Sequence, residues 1–283
     1  MIDNSYKPVV SDLDPLIITA PTIRSGTTLL QRLMCSSRRA LIYGELCAQD
    51  LEMFLNFYVF KSQQYDCRRE EVSNSLRQVL AGEVNDWIPT LMPEVSEYLK
   101  AIGIAAFAGI GYCRDYATQA GRPVWGFKHP AWNPATIRLL RGVMPRSRFV
   151  FIYRDLKDCL RSAKTHAVTY GNSFSKQEVE QFCRSWAENR SYMQSLDGEA
   201  TVLSIDYGDL IRKSQATLEK LAEFTGLDDM NPDVLMHRVN AWKGQDNIMQ
   251  AKNGYFEPSD LDDFDWQIIK ATSAFVSEQP RAL

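Results

Sequence analysis

The stretch that most constrains this chain is PLIITAPTIRSGTTLLQRLMCSS, residues 15 to 37. Pro15 to Ala20 is a short apolar run of the kind that fills a buried strand, and from Thr27 to Ser37 the apolar residues Leu29, Leu30, Leu33 and Met34 recur along one helical face. The order implied is strand, tight turn, helix. The turn, Pro21 to Thr28, brings a glycine, hydroxyls and the guanidinium of Arg24 to the point where a helix begins. The first N–H groups of a helix have no partners within it, and its dipole is positive at that end, so such a turn favours an anion. The stretch reads as a phosphate-binding loop.

Aligned on Gly26, the nucleotide triphosphatase loop GxxxxGK[ST] would place Pro21 at its first glycine, Thr27 at its lysine and Thr28 at the hydroxyl that holds magnesium. The lysine is missing. The positive charge stands instead at Arg24, two residues before the glycine, where it can meet a phosphate together with the Thr27 and Thr28 hydroxyls. Arg24-Ser25-Gly26-Thr27-Thr28-Leu29-Leu30 resembles the corresponding loop of the sulfotransferases that use 3′-phosphoadenosine 5′-phosphosulfate (PAPS).

Composition narrows the class. A chain of 283 residues with 45% apolar content can bury roughly three quarters of its unfolded surface in one α/β domain, here taken as 1–283 with a helical insertion at 46–122. A net charge of −3 argues against nucleic acid or a polyanionic polysaccharide as the main partner, whereas a small anion needs only local positive charge. The six cysteines have no CxxC pair and no metal-ligand spacing with the three histidines, so they read as reduced packing residues of a cytoplasmic protein, and no metal is expected. The polar, acidic start MIDNSYKPVVSDLDP and the lack of about 20 consecutive apolar residues indicate neither secretion nor a membrane span.

Further along, Ala40 to Tyr43 reads as a strand ending at Gly44-Glu45, and Pro123 to Phe127 as another that delivers Lys128-His129-Pro130 at its end. Arg148 to Tyr153 is the strongest buried-strand signal, and it stops at Arg154-Asp155. Residues 46 to 122 read as helices near 49–60, 70–80 and 93–120, rich in aromatics such as Phe54, Phe57, Tyr58, Phe60, Tyr65 and Trp87, and form the candidate acceptor pocket or lid. Ser175 to Glu178 is a capping box, Ala200 to Ile205 a further strand, and Ser214 the cap of a helix ending at Gly226. Strands alternating with helices point to an α/β fold with a central, mostly parallel sheet. With the loop, this is a P-loop-NTPase-like three-layer sandwich. The aspartates Asp260, Asp262, Asp263 and Asp265 read as a solvated face.

Arg154 at a strand end and Ser162 two helical turns on can converge on one phosphate. Tyr153-Arg154-Asp155-Leu156-Lys157-Asp158 with Ser162 resembles the sulfotransferase segment that grips the 3′-phosphate of PAPS, with Leu156 in place of the usual proline. Trp125 to Pro130 resembles the family's second-lysine segment, and Ser204 to Leu210 with Leu218 to Leu227 its C-terminal strand and helix. The resemblance implies PAPS as donor and adenosine 3′,5′-bisphosphate (PAP) as product; the acidic composition and aromatic-rich insertion suit a small-molecule acceptor, a neutral or cationic metabolite or a glycoside. It assigns donor binding to Arg24, Ser25, Gly26, Thr27, Thr28, Arg154 and Ser162, with Lys252 and Gly254 in a closing loop. It assigns Arg24 and Lys128 to charge neutralisation and Glu45 to the general base, with His129 as the alternative base. His166, four residues after Ser162, is positioned to face the acceptor. A small-molecule kinase on the same fold and a non-catalytic nucleotide-binding protein are the rival readings.

Overall fold

The computed structural model describes residues 12–85, 87–88, 90–169, 172–236 and 260–278. Five strands, β1 (Leu16–Thr19), β2 (Ala40–Tyr43), β3 (Val124–Lys128), β4 (Arg148–Tyr153) and β5 (Val202–Asp206), form one sheet. Its order is β2-β3-β1-β4-β5, and every neighbouring pair is parallel. Parallel strands are covered on both faces, which is why β1 and β4 are nearly unbroken apolar runs.

Side chains alternate across the sheet and divide the core in two. Ile17, Phe127, Phe149, Phe151 and Tyr153 point to one side, against α2 (Glu45–Asp66), α4 (Val95–Gln119) and α5 (Pro134–Val143) through Leu51, Leu55, Phe107, Ile110, Ile137 and Leu140. Leu16, Ile18, Val150 and Ile152 point to the other, against α1 (Thr27–Ser36), α8 (Tyr207–Ile211) and α9 (Gln215–Thr225) through Leu30, Leu33, Met34, Leu210 and Leu221. Helices, sheet and helices make the three-layer α/β sandwich of the P-loop type expected. A third cluster joins α6 (Leu156–Thr169), α7 (Lys176–Gln194) and α10 (Asp263–Glu278) around Leu160, Cys183, Trp186 and Ile269.

The chain leaves β1 through α1 toward β2 on one side, but leaves β4 toward β5 on the other. Connections that diverge in this way open a crevice at the carboxyl ends of the strands. The crevice floor is close-packed. At Gly126, in register with Leu16 on β1, an added Cβ would run into the Leu16 backbone carbonyl.

Several expectations are refined. The insertion folds as α2, α3 (Arg69–Leu80) and α4, but its aromatics divide: Tyr58 is buried, while Phe57, Phe60 and Trp87 are exposed. The capping box at Ser175 and Glu178 forms, whereas Ser214 stands at the start of α9 without a capping side-chain bond. Asp265 departs from the solvated face read from its cluster. It is buried and takes the ammonium of Lys164 on α6 at 2.5 Å, because α10 docks there through an apolar face. All six cysteines are free thiols, and Cys67 is exposed rather than packed.

Candidate active site

The loop after β1 is built to leave a helix end open. Gly26 has φ 97°, and α1 begins just after it with no capping side chain and no acidic residue in its first turn. α4, α5, α7 and α8 are each capped by a side chain, from Glu94, Asn133, Ser175 and Asp206, whereas α2, α3 and α9, like α1, begin without one. The orphan N–H groups of α1 therefore face the crevice with a positive end dipole. Thr27 is buried and Thr28 half-buried in that first turn.

Gly26 is required twice over. Its φ lies where side chains are strained, and an added Cβ would stand 2.6 Å from Tyr207 Cε2 and closer still to Cδ2. The loop is braced from below: Ser25 Oγ donates to the Thr22 carbonyl at 2.9 Å and lies 3.4 Å from Cys159 Sγ on α6. Burial pushes the Cys159 thiol up to about 11, so it packs as a neutral group. The buried amide of Asn189 on α7 donates to the Pro21 carbonyl at 2.8 Å.

Arg24, itself at φ 67°, ties the loop to β4 and α6. Its Nε donates to Ser162 Oγ at 3.1 Å, and its carbonyl accepts from Arg154 Nη1 at 2.8 Å. The Arg154 guanidinium also lies over the Tyr207 ring, 4.6 Å from the centroid, while its buried Nε has no hydrogen-bond partner among the described residues. Two residues 130 positions apart thus meet at the ends of adjacent strands. His166, one turn beyond Ser162, is held below its ordinary pKa by burial and then by the nearby Arg24.

On the other flank of β1, Lys128 ends β3 and Glu45 begins α2. Lys128 Nζ meets Glu45 Oε1 at 2.5 Å. The lysine side chain is 6% exposed and the glutamate 47%, so the ammonium is sheltered while the carboxylate still reaches solvent. The turn after β3 is stitched to the exit of β1 by His129 N donating to the Ile18 carbonyl at 3.0 Å and Ala131 N to the Ala20 carbonyl at 3.1 Å. His129 stacks on Trp132 with centroids 5.2 Å apart, and its buried Nδ1 has no hydrogen-bond partner among the described residues. Burial lowers its pKa, against the raising influence of Glu52 and Glu45.

Glu45, Lys128, the Arg24 loop and Arg154 therefore stand in a row on the carboxyl ends of β2, β3, β1 and β4, about 15 Å of sheet edge at ~4.8 Å per strand. Such a row can neutralise an extended polyanion at one end and bring a carboxylate to its other end. Lys252 and Gly254 lie outside the described residues. Sequence reasoning gave no role to Tyr207, Cys159 or Asn189. The first sits inside a quoted motif and could have been found there; the others announce themselves only through contacts across more than 130 residues.

Comparison with known proteins agrees with this architecture. The profile of the sulfotransferase family matches residues 15–232, about three quarters of the chain. No curated protein matches. Among solved structures, the chain is similar to the sulfotransferase domain of the Synechococcus PCC 7002 olefin synthase, at 15% identity and TM-score 0.49, covering 93% of this chain and 96% of that one. It is similar to the sulfotransferase domain of the curacin biosynthetic pathway, at 14% identity and TM-score 0.48, covering 92% and 98%. It is also similar to the sulfotransferase STF1 from Mycobacterium tuberculosis H37Rv, at 16% identity and TM-score 0.43, covering 81% and 72%. With a family profile spanning β1 to the turn beyond α9, and an open helix end flanked by convergent arginines where that family's loop lies, the chain belongs to the sulfotransferase family.

Proposed function

We propose that the protein moves a sulfuryl group from PAPS to a hydroxyl or amine of a small-molecule metabolite or glycoside. The observation that carries this reading is the interlock of Arg24, Arg154 and Ser162, which joins the two cationic strand ends into one cradle. The residues fit the donor: Arg154 keeps a buried Nε without a hydrogen-bond partner among the described residues, and α1 presents an uncapped N-terminus beside Thr27 and Thr28. Ser25 and Gly26 shape that loop, and Lys252 and Gly254 are proposed to close over the donor.

PAPS supplies an activated sulfuryl group on a phosphate leaving group. In this reading Arg24 and the loop N–H groups hold the 5′ end, and Arg154 with Ser162 the 3′-phosphate. Lys128 offsets charge on the sulfuryl oxygens, and Glu45 removes the acceptor proton. The Glu45–Lys128 pair supports this division, because an ammonium drawn toward an anionic sulfuryl group frees the carboxylate it now holds. His129, next to Lys128 and with no hydrogen-bond partner for its Nδ1 among the described residues, is the second candidate base. Residues 46–122 would form the acceptor side of a single domain, working in the cytoplasm; among the described residues no helix is long and apolar enough to cross a membrane.

A screen with radiolabelled PAPS against small hydroxylated and aminated metabolites tests the transfer. PAP at about 100 times its Kd should stabilise the fold by about 2.7 kcal/mol. Stabilisation by ATP with magnesium and none by PAP would turn the assignment to a kinase. Glu45→Ala is expected to bind PAP as the parent does while kcat falls by ~10²-fold or more. Full turnover in that variant would pass the base role to His129.

A further inference from the structure

We propose that Glu52, two helical turns beyond Glu45 on α2, is a positioning residue that sets the Glu45–Lys128 pair and the His129 ring by anchoring the turn after β3, without itself touching substrate. The proposal rests on the functional reading above. Residues seven apart on a helix share a face. Glu45 and Glu52 accordingly both meet the β3–α5 connection, one at its start and one at its far side.

Both oxygens of Glu52 are engaged by neutral donors. Oε1 accepts from Thr136 Oγ1 at 2.8 Å and Oε2 from Trp132 Nε1 at 3.1 Å. Among the described residues no cation pairs with this half-buried carboxylate, so its desolvation is offset only by these two bonds to neutral groups. What those two groups hold explains its presence. Trp132, 1% exposed, is the platform on which His129 stacks, and its backbone N donates to Thr19 Oγ1 at 3.3 Å at the exit of β1. Between them Ala131 sits at φ 65°, a left-handed conformation that strains a residue with a Cβ and persists only when its surroundings fix it. The turn that presents Lys128 and His129 is thus strained, and beside the Glu45–Lys128 pair the Glu52 clasp binds its far side to the same helix.

The charge of Glu52 also acts on His129. Facing that ring are Glu52 and Glu45 from α2, which favour its protonated form, and its chain neighbour Lys128 at the end of β3, which opposes it.

Two substitutions separate anchor from charge. Glu52→Gln can keep both bonds, its carbonyl accepting from Trp132 and its amide donating to Thr136 Oγ1. The expected result is turnover within a few-fold of the parent, with the protonation midpoint of His129, followed by NMR of the imidazole, moved to lower pH. Glu52→Ala removes the anchor, and kcat should fall by about 10- to 100-fold with PAP affinity unchanged, as expected when reacting groups are displaced by about 1 Å. Should Glu52→Ala not fold, Trp132→Phe, which keeps a ring under His129 but loses the indole N–H, is expected to lower kcat by about 3- to 10-fold. A folded Glu52→Ala, or failing it Trp132→Phe, with the parent's kcat overturns the proposal, as does an unmoved His129 midpoint in Glu52→Gln. Absence of PAP binding and transfer in the parent would instead defeat the functional reading, and the NMR titration would still decide whether Glu52 governs His129.

Discussion

Arg154 carries three relationships at once: a bond to the Arg24 carbonyl, a place over the Tyr207 ring, and a buried Nε without a hydrogen-bond partner among the described residues. The first two fix its direction, and the proposed donor would engage the third. Arg154→Ala is expected to weaken PAP binding by about 1.5–3 kcal/mol, the contribution of a charge-assisted phosphate contact, as read by calorimetry. An unchanged Kd would remove Arg154 from the donor site. The individual residues of the cradle were legible in the sequence because an arginine before a Gly-Thr-Thr turn and an arginine at a strand end have no common structural reason to occur together. Their bond to one another was not. Nor were Tyr207 on Gly26 and Cys159 under Ser25, since those contacts depend on how α8 and α6 close over the loop.

At the scale of elements, β2 and β4 were read to the residue, because a parallel sheet covered on both faces writes itself as an apolar run bounded by charge or glycine. The strand order was hidden, because nothing in the segment 124–128 says that it inserts between β1 and β2. Periodicity marks a helix face as apolar but does not say whether a neighbour covers it, so the fate of the aromatics in the insertion was equally obscure. Phe57 and Phe60 lie on the outward side of α2, and Tyr58 lies against Phe107 of α4. Insertion of β3 leaves no room beside Leu16. Gly126→Ala is therefore expected to destabilise the fold by at least ~1–3 kcal/mol, the usual cost of forcing extra volume into a packed core, measured as a lower urea midpoint at unchanged slope. A variant as stable as the parent would mean that β1 and β3 can part without cost.

For the molecule as a whole, two of the three histidines are held neutral by their surroundings: His129 and His166 both lie below the ordinary value of 6.5, chiefly through burial. The unfolded chain binds protons at these positions near pH 6.5, and the native chain does not until lower pH. Stability should be full above about pH 7 and fall as the pH drops from 6.5 toward 5. The carboxylates held below their usual range, such as Asp229 and Asp262, add their loss further down. Urea unfolding at pH 7.5 and 5.5 checks this, and the double replacement His129→Gln with His166→Gln should flatten the slope between them. An equal slope in both proteins would place the acid sensitivity elsewhere. The clasp between Arg24 and Arg154 also bears on how the protein is made. Its halves are joined only after β4 and α6 have left the ribosome, so a nascent chain already long enough to display the glycine turn and the Glu45–Lys128 pair still lacks this bond across the strand ends, which closes only when more than half of synthesis is over.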